Sequence, residues 1–217
     1  MPRRLLDGLG GCCWRPIARS AWAPHSPGSA FRRWDVEYPA TFEANEARSA
    51  DIVVMSRRQV RTTPYRFLDP AAAVLPKGRP TILVPERASE LQADRNLVGW
   101  KDTREARLAV RDALPFLARP TQVTIIEICT SDQQDRARRR VGDVATYLGS
   151  HGAKCETDVR VHTAQSDADR LVRLAKDADA DLIVTGAYRH SRVGEWMFGA
   201  VTHSLLQEAP LCHMMSH

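Results

Sequence analysis

Residues 180–217 read ADLIVTGAYRHSRVGEWMFGAVTHSLLQEAPLCHMMSH. After its opening acid, Asp181–Thr185 is continuously apolar, the pattern of a parallel strand covered on both faces. A polar loop containing Gly186 and Gly194 follows. A helical pattern then covers about Glu195–Glu208, and Leu211–Met215 forms a weaker final strand. A helix beginning just after such a strand exposes unpaired N–H groups and partial positive charge, which suit a phosphate. Glycines allow a backbone to approach an anion closely.

Working outward, further strand-like runs are Asp51–Met55, Thr81–Val84, Leu97–Trp100, Val123–Ile128 and Cys155–Val161. Ala106, Val110, Ala113, Leu114 and Leu117 share one helical face. Ala168, Leu171, Val172, Ala175 and Ala178 share another. A third helix is expected over Arg136–Ser150, with Val141, Val144 and Leu148 inward and a stop near Gly152. From Leu97 onward strands and helices alternate with short links, so the fold class is α/β, a parallel sheet with helices on both faces. Leu97–Trp100 should be central. Its carboxyl end leads into Lys101-Asp102-Thr103, which should share a crevice with the Gly186 loop at the topological switch point.

A repeat lies beneath this pattern. Ala50-Asp51-Ile52-Val53-Val54 resembles Ala180-Asp181-Leu182-Ile183-Val184, at an offset of 130. Asp51 to Pro80 and Asp181 to Pro210 are both 29 positions. Two matches at one offset indicate two copies of one unit. The division that follows is an irregular Arg-rich segment over 1–33, an incomplete unit over 34–90 and a complete one over 91–217. The first copy would lack its opening strand, first helix and second strand. A half-unit cannot easily bury both faces of its sheet alone, so it should lean on the complete one.

Composition bounds the function. The chain has 217 residues, 43% hydrophobic and 26% charged, which excludes wholesale disorder. Residues 1–33 hold six arginines against the single acid Asp7, so they carry the whole formal charge of +5. The remainder is neutral, which argues against a nucleic-acid surface on it. No apolar run approaches the roughly 20 residues of a membrane helix. The five cysteines lack metal-type spacing and read as free thiols in a reducing cytoplasm. The segment 1–33 is basic, but Pro16, Pro24 and Pro27 break any sustained amphipathic pattern of a transit peptide.

The 180–217 stretch resembles the C-terminal signature of the universal stress protein family, in its tandem bacterial form. GWKDTREARLAVRDALPFL, residues 99–117, resembles the opening strand and helix of the same domain. The resemblance implies a five-stranded parallel sheet sandwiched by helices, of the adenine nucleotide alpha-hydrolase-like kind with strand order 3-2-1-4-5, plus a partial second copy. It implies self-association through the last strand of each unit, as an internal pseudo-dimer or a homodimer, with Thr81–Val84 meeting Leu211–Met215. It further implies a stress-response role and a site for ATP or another adenine nucleotide. The family pattern is Gly, two residues, Gly, nine residues, Gly, then Ser or Thr, with an acid ending the first strand. Gly186 and Gly199 match it. Arg189 stands at the second glycine, Ala200 at the hydroxyl position and Lys101 at the acid, with Asp102 one step later. The site residues carried over are therefore Lys101, Asp102, Thr103, Gly186, Arg189, His190, Gly199, Ala200 and Val201. Arg189 adds a side chain where backbone should touch phosphate, Ala200 removes a donor, and Lys101 replaces an acceptor with a donor. The implied nucleotide site is degenerate, its ligand weakly held or absent.

The same residues have plainer readings. Asp102 with Glu105 fits a helix capping box. Gly186 can simply permit a strand-to-helix turn, and Gly199 can serve close packing. Lys101 beside Arg189 could hold an anion through side chains. Arg136, Arg138, Arg139 and Arg140 read as the wet face of a helix. His203, Cys212, His213 and His217 do not form a zinc pattern. No catalytic triad or P-loop is apparent. The expectation is a non-catalytic stress-response protein. The alternatives are slow ATP hydrolysis, for which Asp102 and Glu195 are the acids near the crevice, and a pure interaction module tethered by the arginine-rich head.

Overall fold

A computed structural model describes residues 48, 50–56, 78–85, 88, 91–118, 122–187 and 211–217. The strands are β1 (Val53–Ser56), β2 (Thr81–Val84), β3 (Arg95–Trp100), β4 (Gln122–Cys129), β5 (Lys154–Val161), β6 (Leu182–Gly186) and β7 (Cys212–Ser216). The described helices are α1 (Arg104–Asp112), α2 (Leu114–Leu117), α3 (Gln134–Ser150) and α4 (Asp167–Asp177). A 3-10 turn, Ser131–Gln133, leads into α3. None of them is long and apolar enough to cross a membrane. The helix expected over 195–208 lies outside the described residues.

The strands form one sheet of seven in the order β1-β2-β7-β6-β3-β4-β5. The five strands of residues 91–217 are parallel, as expected, but they belong to a larger sheet of seven strands of mixed direction. The strands fall into two parallel groups, β1-β2 and β7-β6-β3-β4-β5, and the seam between the groups is antiparallel, because Thr81, Ile82 and Leu83 pair with Met215, Met214 and His213. The other adjacent strands pair in parallel. β2 is buried at all four positions and β7 at all five, so the seam lies inside the molecule.

Burial on both faces explains the uninterrupted apolar runs. Side chains alternate across a strand, and in β3 Val98 and Trp100 go one way while Leu97 goes the other. The first set joins Val123, Ile125, Leu182, Val184 and Met214 under the buried stripes of α1 and α3, including Ala106, Val110, Val141 and Leu148. The second joins Ile126 and Ile183 under Ala168, Leu171 and Ala175 of α4. The helix expected to run through Leu117 instead breaks at Ala113, which ends α1 and opens α2. Pro115 has no N–H to continue the ladder and is tolerated only in a first turn. At the end of α3, Gly152 takes φ +93°, and Ala153 donates back to Leu148. That left-handed turn is the stop the glycine announces.

The equal 29-residue spacings do not carry through to register. In the β6–β7 pair Ile183 lies opposite His213. The same offset would set Val53 opposite Leu83, yet Val53 pairs with Thr81. A slip of two residues keeps every side chain on its own face, whereas a slip of one would reverse them.

At the amino ends, the Asp181 carboxylate accepts from the backbone N–H groups of Asp94 and Arg95 at 2.8 and 2.9 Å. The Asp181 N–H donates to Arg95 O at 2.8 Å. Asp181 thus clamps β6 to β3. Replacing it by alanine removes an acceptor shared by two donors and should cost about 1–3 kcal/mol, measured by urea unfolding. Asp181→Asn should recover part of that loss, and an alanine variant as stable as the parent would contradict the clamp.

Candidate functional site

β3 lies between β4 and β6. The chain leaves β3 toward β4 and β5, then returns to β6 on the other side, so the topological switch point falls at the carboxyl ends of β3 and β6. Trp100 ends one strand and Gly186 the other. The fold therefore brings Lys101, Asp102 and Thr103 together with Gly186. Arg189, His190, Gly199, Ala200 and Val201 lie outside the described residues.

Gly186 packs against the start of α1. A Cβ on it would fall 2.5 Å from the Ala106 nitrogen and 2.6 Å from the Glu105 carbonyl carbon. Its missing side chain makes room for a helix backbone. Ala187 continues the contact with β7, donating its N–H to Ser216 O at 2.8 Å.

The capping box over Asp102 and Glu105 is not formed. Thr103 is the N-cap, with extended backbone at φ −126° and ψ 163°, and its hydroxyl accepts from the Ala106 N–H at 3.3 Å. A threonine one residue nearer the helix reaches the first-turn donors directly. Asp102 is displaced outward and pairs with Arg107. Both side chains are at least half exposed, which limits the pair to a small contribution.

A pair that sequence reasoning missed lies beside the crevice. Glu127 stands directly across from Trp100 in the β3–β4 register and is only 4% exposed. The Arg140 Nε donates to both of its carboxylate oxygens, at 3.2 and 3.1 Å, and Nη2 donates again to Oε1. Arg140 is thus no part of a solvated helix face; it reaches back from α3 to neutralise a buried acid. The hydrogen bonds it donates to Glu127 hold the Arg140 guanidinium pKa above the ordinary value, and the charges of Glu127 and Asp102 add to this. A signal for the pair was present: a lone acid inside VTIIEI must find a cation if the strand is buried.

Cys129 ends β4 and is buried. Burial first, then the negative charge of Glu127, pushes its thiol pKa up. It remains a protonated thiol and a poor nucleophile. The Trp100 indole nitrogen and the Ser216 hydroxyl are buried there without hydrogen-bond partners among the described residues. A shallow cavity of about 200 Å³, lined by Arg95, Asn96, Gln122, Thr124 and Glu156 among others, lies at the opposite, amino-terminal end of the strands. The carboxyl-end surface is thus one of paired charges, where Asp102 and Glu127 are each already held by an arginine.

Residues 93–214 match the model of the universal stress protein family. The chain belongs to that family. Its fold is similar to a universal stress protein from Archaeoglobus fulgidus DSM 4304, at 15% identity and a TM-score of 0.62, over 81% of this chain and 63% of that one. A universal stress protein in complex with cAMP is 22% identical, with a TM-score of 0.47, over 57% of this chain and 96% of that one. A local likeness of 40% identity over 57 residues links the chain to maleylacetate reductase 2 of Cupriavidus pinatubonensis (strain JMP 134 / LMG 1197). That match spans 26% of this chain and 15% of the reductase. Membership in the stress protein family supports a stress-response role.

Two outcomes follow from the geometry. Gly186→Ala should destabilise the fold by about 1–3 kcal/mol, since the obstructing atoms are backbone and cannot rotate away; an unchanged melting temperature would refute that packing. The raised Cys129 pKa sets a sign with pH. Above about pH 8.5 the unfolded thiol ionises while the folded one keeps its proton. The folded state then binds more protons, and stability falls as pH rises. Cys129→Ser should reduce the drop in urea midpoint between neutral and alkaline buffer. An equal drop in both proteins would show that the thiol does not contribute.

Proposed function

We propose that this chain is a non-catalytic, stress-response member of the universal stress protein family whose adenine-nucleotide crevice is degenerate. The observation that carries the reading is at Gly186. The space its missing side chain leaves is occupied by the α1 backbone, and is not an open cradle. Three residue identities point the same way: Lys101 in the place of an acceptor, Arg189 in the place of a glycine and Ala200 in the place of a hydroxyl. The close packing at Gly186 and the pairing of Asp102 with Arg107 support a poor fit to ATP among the described residues. Slow ATP hydrolysis is less favoured, because Asp102 is paired with Arg107.

We also propose the tandem form, with residues 34–90 as an incomplete first unit joined internally to 91–217 through the last strands. Support comes from the parallel β1–β2 pair matching the parallel β6–β7 pair, and from the seam. Leu83 and His213 face each other there, and they are separated by the 130 positions of the sequence repeat. The free thiols Cys129, Cys155 and Cys212 favour a reducing cytoplasm.

Isothermal calorimetry with ATP and magnesium tests the main reading. We expect no saturable binding tighter than about 1 mM, and phosphate release no faster than in buffer. Micromolar, magnesium-dependent binding would overturn the degenerate assignment, and turnover would overturn the non-catalytic one.

A further inference from the structure

Among the described residues β1 and β5 are the outermost strands of the sheet, and the two edges differ in chemistry. β5, at one edge, carries Lys154, Glu156, Asp158 and Arg160 at alternate positions. Charges spaced along an edge strand discourage another chain from pairing with it. β1, at the other edge, reads VVMS and follows Asp51-Ile52. No charge interrupts Ile52–Ser56, and Val54 is 45% exposed. An edge strand without charges is a template for strand addition.

The backbone geometry fixes which groups are available. The Val53 N–H donates to Pro80 O at 2.9 Å, and Val53 pairs with Thr81, so Val53 faces β2. Alternation then turns the N–H and C=O groups of Ile52, Val54 and Ser56 to the open side. We infer that this edge pairs with β1 of a second copy of the chain, antiparallel about a two-fold axis at Val54. In that register the two Val54 residues exchange both backbone hydrogen bonds, and Ile52 does the same with Ser56 of the copy.

The occupant follows from self-complementarity. An isologous contact requires a surface that matches itself. A central valine, flanked by uncharged residues and bounded in the sequence by Asp51 on one side and Arg57 on the other, does so. Reversing the copy brings opposite charges toward each end. The alternative route, association through last strands, is closed because β2 and β7 are spent on each other within the chain. The two-fold would join two seven-stranded sheets edge to edge.

Light scattering on the full chain, from about 1 µM upward, tests this. We expect a species of twice the 24.3 kDa chain mass at high concentration. Val54→Lys sets like charges opposite each other on the axis and should weaken the dimer at least about tenfold. Val54→Pro removes an outward N–H while leaving the Val53 donor to β2 intact, and should have the same effect. Hydrogen exchange of the unmodified protein gives a readout that does not depend on a variant folding. The amides of Ile52, Val54 and Ser56 should gain protection with concentration, and that of Val53 should not. A monomer throughout, a dimer indifferent to both substitutions, or concentration-dependent protection on β5 would each overturn the proposal. Protection of the outward amides at every concentration would also overturn it, by showing that a segment of the same chain covers the edge.

Discussion

Strands β3 and β6 lie side by side although 86 or 87 positions separate the groups that clamp their amino ends. That adjacency is the constraint on which the carboxyl-end surface depends. It aligns Gly99 with Thr185, and it delivers Gly186 against the first turn of α1. It also fixes the close contact there: the helix can begin where it does only because the passing strand has no Cβ at that position. Long-range parallel pairing of this kind contributes no stability until the chain has closed the loop between the strands. Burial of Leu97, Val98, Ile183 and Val184, on both faces of the pair, offsets that cost.

Much of the fold was legible because burial on two faces leaves a plain mark. DLIVT and VTIIEI cannot be half-solvated strands, and the stripes of α3 and α4 repeat at helical spacing. The meeting of Thr81–Val84 with Leu211–Met215 was legible only through the family resemblance, and its antiparallel direction was not, since TILV and LCHMM say nothing by themselves of direction. Register was not legible. Val53 opposite Thr81 differs from the repeat by two residues, and a two-residue slip leaves the hydrophobic pattern unchanged. Pattern reading is blind to that difference for the same reason the fold tolerates it.

The candidate site was legible in part. Spacing along the chain placed Lys101–Thr103 near Gly186, because the switch point follows from strand order alone. It did not settle which of two adjacent capping residues would win. Asp102 and Thr103 both qualify as N-caps, and the threonine takes the position because the helix opens one residue later than the box requires. Arg140 was misread for a different reason. Within an arginine-rich helix each arginine looks alike in sequence, and only the proximity of α3 to β4 singles out the one that can reach Glu127.

That ion pair bears on how the crevice should be understood. Leaving Glu127 buried without Arg140 would cost about 3–5 kcal/mol, whereas the intact pair roughly breaks even against apolar residues of similar size. The pair therefore persists as a unit, and neither member is released to a ligand without that penalty. Glu127 also faces Trp100 across the β3–β4 register, so its charge and its cation stand at the end of the strand that leads into Lys101. A neutral adenine ring favours apolar walls with a few directional hydrogen-bonding groups. Here the described walls place a guanidinium–carboxylate pair at one side and a lysine on the next residue. The residue identities in the glycine motif and the charges on the described neighbouring strand thus support the same proposal, a crevice degenerate toward its purine.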